Sequence, residues 1–148
     1  MKRTHTILIL FLATLFYTSC QKYSYIENEL HGLWQVISVE DKTTNETTEA
    51  QGELYYSFQR NMVIVGYNSP NKPTGTMMTQ YISDFYLNND TIQISNFRVF
   101  EEYDKKAPLQ ALKRFGIHDE QTVFAIEHPR KDIMALKSAK ARVTMRRY

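Results

Sequence analysis

The stretch Leu30-His31-Gly32-Leu33-Trp34-Gln35-Val36-Ile37-Ser38-Val39 holds the only tryptophan of this 148-residue chain, two positions after a glycine at the start of the first strand-like run. Trp34, Val36 and Ser38 fall on one side of that strand, Ile37 and Val39 on the other. A half-buried strand alternates apolar and polar positions. Here both faces are apolar, so the strand needs either a bulge or an outer packing partner.

Downstream, short strand-like runs follow one another to the C-terminus. Residues 33–40 form the first and 53–59 the second, where Leu54, Tyr56 and Phe58 alternate with Tyr55, Ser57 and Gln59. The third covers 62–67 after an Arg60-Asn61 turn, and the fourth 76–87 after a loop at 68–75 with two prolines and a glycine. Asn88-Asn89-Asp90 turns the fourth into the fifth, 91–96, and the last three are 122–127, 132–137 and 141–148. Residues 41–49 are polar throughout and read as an exposed loop, and the charged segment 101–106 as the end of a hairpin. One helix is expected at 108–115, with Pro108 in its first turn, Leu109, Leu112 and Phe115 every three residues, and Gly116 to cap it. No internal repeat appears, and ten tyrosines and eight phenylalanines give a β-type bias.

The N-terminus lies outside this pattern. Lys2 and Arg3 precede an apolar run at 6–17. A mature membrane helix needs about 20 apolar residues, so the run has the size of a signal-peptide core. Tyr17-Thr18-Ser19-Cys20 follows, ending on the only cysteine. It resembles the lipobox of bacterial lipoproteins, with Tyr17 where leucine is usual. That resemblance implies cleavage of a signal peptide, residues 1–19, and lipidation of Cys20, with 20–29 as anchor and lead-in. Separately, Tyr23, Tyr25, Ile26 and Leu30 suggest a short helix over 22–30 before the first strand. Several acyl chains make such an anchor lasting. Gln21-Lys22 lacks the acidic run linked to surface export, which favours an outer-membrane protein facing the periplasm.

Removing residues 1–19 takes two of the 18 basic residues and no acid, leaving 16 against 16. A neutral chain lacks the concentrated positive field of a nucleic-acid binder. Residues 30–148 fit one domain, large enough for one hydrophobic core.

Eight antiparallel strands with one helix in a long connection suggest an all-β up-and-down barrel, which removes its edges by closing. In a closed barrel the first and last strands are neighbours. Trp34 then stands beside Arg146 or Arg147 at one rim. Val143, Met145 and Arg147 share the more apolar face of the last strand, which selects Arg147. Gly32-Leu33-Trp34, the C-terminal arginine and the strand count together resemble the lipocalin-like domains of bacterial lipoproteins. That resemblance implies a closed end plugged by Gly32, Trp34 and Arg147, and an opposite end opening onto an apolar cavity.

Tyr56, Phe58, Tyr81, Ile94, Met134 and Met145 are the inward candidates for binding a small apolar or amphipathic ligand. Eight strands leave room either for packed side chains or for one small ligand, so a filled core is the other reading. The helix is expected over or beside the mouth through Leu109, Leu112 and Phe115, as a lid or packed on the wall. For catalysis the chain offers little. His31, His118 and His128 lack metal-ligand spacing, and His118-Asp119 is a dyad on paper with no nucleophile beside it. The methionines 62, 77, 78, 134 and 145 read as core filler. No cofactor, metal or enzymatic activity is expected. The expected function is a membrane-anchored lipocalin-like protein that binds a small ligand. A filled-barrel interaction module for an envelope protein partner is the alternative.

Overall fold

A computed structural model describes residues 29–67, 80–130 and 132–148. The signal peptide, Cys20, the lead-in up to residue 28, the loop at 68–75 and residues 76–79 with Met77 and Met78 lie outside the described residues. The chain divides into two units, 1–30 and 31–148. Of the first unit, Glu29 and Leu30 are described, and both are helical.

The second unit contains ten strands among the described residues. They are β1 (Gly32–Asp41), β2 (Glu46–Glu49), β3 (Leu54–Gln59), β4 (Met62–Tyr67), β5 (Tyr81–Asn88), β6 (Thr91–Val99), β7 (Glu102–Lys106), β8 (Gln121–Arg130), β9 (Ile133–Lys137) and β10 (Ala141–Arg147). β1, β3, β4, β5, β6, β8, β9 and β10 pair in that order, and β10 returns to β1. The result is a closed, eight-stranded antiparallel barrel in which Trp34 lies opposite Arg147.

The apolar positions on both faces of the first strand are resolved by a bulge. Val36 pairs with Met145 and Ser38 with Thr144, so Ile37 is the extra residue. It shifts the alternation by one, which lets Trp34, Val36 and Val39 all be buried. Beyond the bulge, β1 changes partner on its other edge. Gly32 to Gln35 pair with β3 and Ser38 to Asp41 with β2. The Ile37 carbonyl at the changeover accepts the Ala50 N–H at 2.9 Å.

β6 repeats the device. It pairs with β8 over Thr91 to Ser95 and with β7 from Arg98. Its register against β5 shifts between Ser95 and Arg98, where Asn96 adopts φ 61°. Thus 46–49 and 102–106, expected as loop and hairpin end, are strands. They add edge pairing to a barrel whose own strand number stays at eight.

The core follows the alternation. Leu54, Tyr56 and Phe58 of β3, Val63 and Val65 of β4, Ile92 and Ile94 of β6, and Ala141, Val143 and Met145 of β10 are all buried. The expected helix is present in shortened form. α1 (Leu109–Leu112) is one turn that tightens into a 3-10 turn over Lys113–Phe115, ended by Gly116 at φ 74°.

Candidate functional site

Two ends of the barrel differ in construction. At one end lie the tight turns Arg60-Asn61 and Asn89-Asp90, with Trp34 and the end of β10. The Arg147 guanidinium carbon sits 5.4 Å from the Trp34 ring centre. Its Nη2 donates to the His31 carbonyl at 2.8 Å. Gly32 has φ 129°, a conformation that side chains disfavour, and the guanidinium lies over its bare Cα face. Arg146 points elsewhere and donates to Gln35 Oε1 at 2.7 Å. This end is sealed by backbone and stacked side chains.

Level with the tryptophan and towards the closed end, aromatic rings occupy the interior, since Tyr56 is the register partner of Trp34 and Phe58 that of Gly32. Tyr56 stacks on Phe58 with centroids 5.8 Å apart, and Phe58 meets Phe85 edge-on at 5.7 Å. Tyr56, Phe58, Ile94, Met134 and Met145 are almost wholly buried, and Tyr81 is 6% exposed. The structure places all six of these expected ligand contacts in the core.

At the other end, the turn after α1 sends Phe115 down into the barrel. Its ring makes edge contacts with Tyr56, Tyr67 and Tyr81 at 6.3, 5.7 and 6.4 Å. The Tyr56 hydroxyl donates a short hydrogen bond to the Phe115 carbonyl. Burial pushes the Tyr56 phenol far up, so it stays a donor. Gly116 lies so close to β10 that an added Cβ would overlap a Val143 methyl. Leu112 is buried, whereas Leu109 is 36% exposed. Leu109 therefore does not share the inward face expected for it: it opens a one-turn helix, and the buried side chains are Leu112 and Phe115 further along.

His118 does not pair with Asp119. Asp119 Oδ1 accepts from Lys140 Nζ at 2.6 Å, and His118 Nε2 faces Asp41 Oδ2 at 3.6 Å. The His118 side chain is 6% exposed, and its Nε2 has no hydrogen-bond partner among the described residues. The Thr43 hydroxyl and N–H donate to Asp41 at 2.6 and 2.8 Å. The hydroxyl bond is the main cause that holds the Asp41 carboxyl below the ordinary carboxylate range.

These elements frame a groove of about 420 Å³ at the open end. Val39, Ala50, Leu54 and Tyr67 supply its apolar lining. Asp41, Glu46, Glu49 and Glu53 bring carboxylates from β1, β2 and the turn before β3. Lys113 and Arg114 bring cations from the 3-10 turn, and Arg114 Nη1 lies 3.4 Å from the Tyr67 hydroxyl. A second hollow, of about 380 Å³, lies beside β7 around Asn96, Arg98, Tyr103 and Asp104 and is mostly polar. Among the described residues no three His, Cys, Asp or Glu side chains are grouped to hold a metal.

The groove residues are not those singled out from the sequence. Each belongs to the end of a strand or to a connection, and alone none carries a motif. The up-and-down topology puts the polar connection after the first strand and the helix segment at the same, open end, but it does not mark which of their residues line a groove.

Two solved structures share this fold. A lipocalin-like protein from Bacteroides uniformis aligns over 81% of this chain and 99% of its own, with 14% identity and a TM-score of 0.57. An uncharacterised protein from Bacteroides eggerthii aligns over 80% and 98%, with 14% identity and a TM-score of 0.56. No protein of curated function matches the chain. The lipocalin-like domain family matches residues 13–148, and the chain belongs to that family.

Proposed function

We propose that this protein binds a small amphipathic molecule in the groove at the open end of its barrel, not in the barrel interior. The observation that carries this reading is the 420 Å³ groove, with an apolar lining and charged groups around it, above an interior occupied by Phe115, Tyr56 and Phe58. Small-molecule sites run from roughly 300 to 1,000 Å³, with apolar walls and a few placed polar groups. The reading is of binding and not of catalysis, in a family that is generally non-enzymatic. We propose further that Cys20 is lipidated after removal of residues 1–19 and holds the protein at the outer membrane, facing the periplasm. The apolar run at 6–17 and the Thr18-Ser19-Cys20 junction support this.

Solvent extraction of protein purified from its native membrane, followed by mass spectrometry, tests the binding reading. An amphipathic molecule should be released in near-stoichiometric amount. Thr48→Trp, on the exposed strand β2 in the groove, should abolish that load. Protein that carries nothing, or a variant that keeps the load, would overturn the reading.

One observation favours the second reading, an interaction module for an envelope protein. Tyr86, Gln93 and Val123 form a cross-strand row on β5, β6 and β8, with Tyr86 and Val123 exposed. Exposed apolar side chains on either side of Gln93, over a packed core, are what such a module would present. Loss of a co-purifying protein on Tyr86→Lys, with no small molecule bound, would select it.

A further inference from the structure

Resting on the reading of the mouth groove as the binding site, we propose that its occupant is a single-chain zwitterionic amphiphile. The amine of its head group faces the carboxylates of Glu46, Glu49 and Glu53, and its phosphate or carboxylate faces Lys113 and Arg114.

The charges of the groove are sorted by element. All four carboxylates come from the stretch that runs from the end of β1 to the turn before β3, and both cations from the turn after α1. Glu49, Glu53 and Lys113 have no ion-pair partner among the described residues. A neutral amphiphile seated on Val39 and Leu54 would strip water from both sets of charges and return nothing. A singly charged one would satisfy one set and be repelled by the other, which is how unmatched charge builds specificity. A head group with both signs meets both sets.

Two details give the head group its shape. Four carboxylates against two cations leave the groove net negative, so the amine end is the stronger handle. The acidic side is also built in place. Asp41 is fixed by Thr43, and the buried His118, whose Nε2 makes no hydrogen bond among the described residues, stands 3.6 Å from the same carboxylate. A volume of about 420 Å³ suits one head group and a short apolar segment, not two acyl chains.

Titration calorimetry on the full chain, held in amphipol and free of detergent, tests this with four ligands of equal chain length. Dodecylphosphocholine and dodecyl betaine are zwitterions, one with a phosphate and one with a carboxylate. Dodecyltrimethylammonium carries only the cation and dodecanoate only the anion. The zwitterions should bind at least tenfold tighter than the cation, and the anion weakest. The tighter zwitterion assigns the anionic group, phospholipid-like or amino-acid-like. Lys113→Glu with Arg114→Glu, both at exposed positions, should remove the zwitterion preference and leave the cation as the best ligand. Equal binding of all four, or a cation that matches the zwitterions on the parent protein, overturns the inference and leaves mouth binding intact. Absence of binding to any of them, or binding that survives Thr48→Trp, overturns both.

Discussion

Arg147 lies across the face of Trp34 with 5.4 Å between the guanidinium carbon and the ring centre, and the two are register partners on the last and first strands of the barrel. The contact therefore sits on the seam where the barrel closes. Trp34→Ala should cost about 3–5 kcal/mol, as expected for a buried aromatic. Arg147→Ala should cost less, about 0.5–2 kcal/mol for the cation–π contact, with a further loss from the hydrogen bond to His31. Denaturant unfolding of the two single variants and the double variant measures both, and the costs should not add. Neither change should alter which ligand binds, since the groove is at the opposite end.

Phe115 fills the open-end side of the core against Tyr56, Tyr67 and Tyr81. Phe115→Ala should cost about 3–5 kcal/mol and open a hole between Tyr56, Tyr67 and Tyr81. Tyr56→Phe removes the donor to the Phe115 carbonyl while keeping the ring, and should cost about 1–3 kcal/mol for a buried acceptor left unpaired. Leu109, which is partly exposed, should tolerate Ser within about 0.5 kcal/mol. Leu112→Ala should cost about 2–5 kcal/mol. The contrast between the two leucines, read from unfolding midpoints, checks that the connection holds the mouth through its second half.

What could be read from the residues alone follows from what each residue buries. The barrel strands alternate, so Leu54, Tyr56 and Phe58 announce one face without help. The two apolar faces of the first strand call for a bulge or an outer packing partner, and the structure places a bulge at Ile37. Strands β2 and β7 could not be read, because Glu46–Glu49 and Glu102–Lys106 bury nothing. They are strands because β1 and β6 offer them an edge beyond a shift in register, a long-range pairing with no local pattern. The groove was hidden for a related reason. Val39, Leu54 and Tyr67 look like ordinary strand ends, and only closure of the barrel brings them to Lys113 and Arg114.

The anchor can be tested apart from the barrel. Cys20→Ala should release the protein from the membrane fraction while leaving its fold unchanged by circular dichroism. Incorporation of an alkyne-tagged fatty acid should be lost at the same time. Retention of the variant on membranes would show that something other than a lipid at Cys20 holds it there.

Acid should loosen the mouth through Asp41. Its folded-state pKa is lowered from an ordinary 3.8, chiefly by the hydrogen bond from the Thr43 side chain. A carboxyl with a depressed folded pKa binds fewer protons in the native state than in the unfolded one. Its stabilising contribution is complete above the ordinary value and is lost as pH falls through the folded value. Thr43→Val removes the main cause of the shift. The stability gap between parent and Thr43→Val should therefore be constant from neutral pH down to about 5, then narrow as pH falls through the carboxylate range. Unfolding curves across that range, with the Asp41 carboxyl followed by NMR, measure it directly. A gap that stayed constant into strong acid would mean that Thr43 does not act through the Asp41 charge.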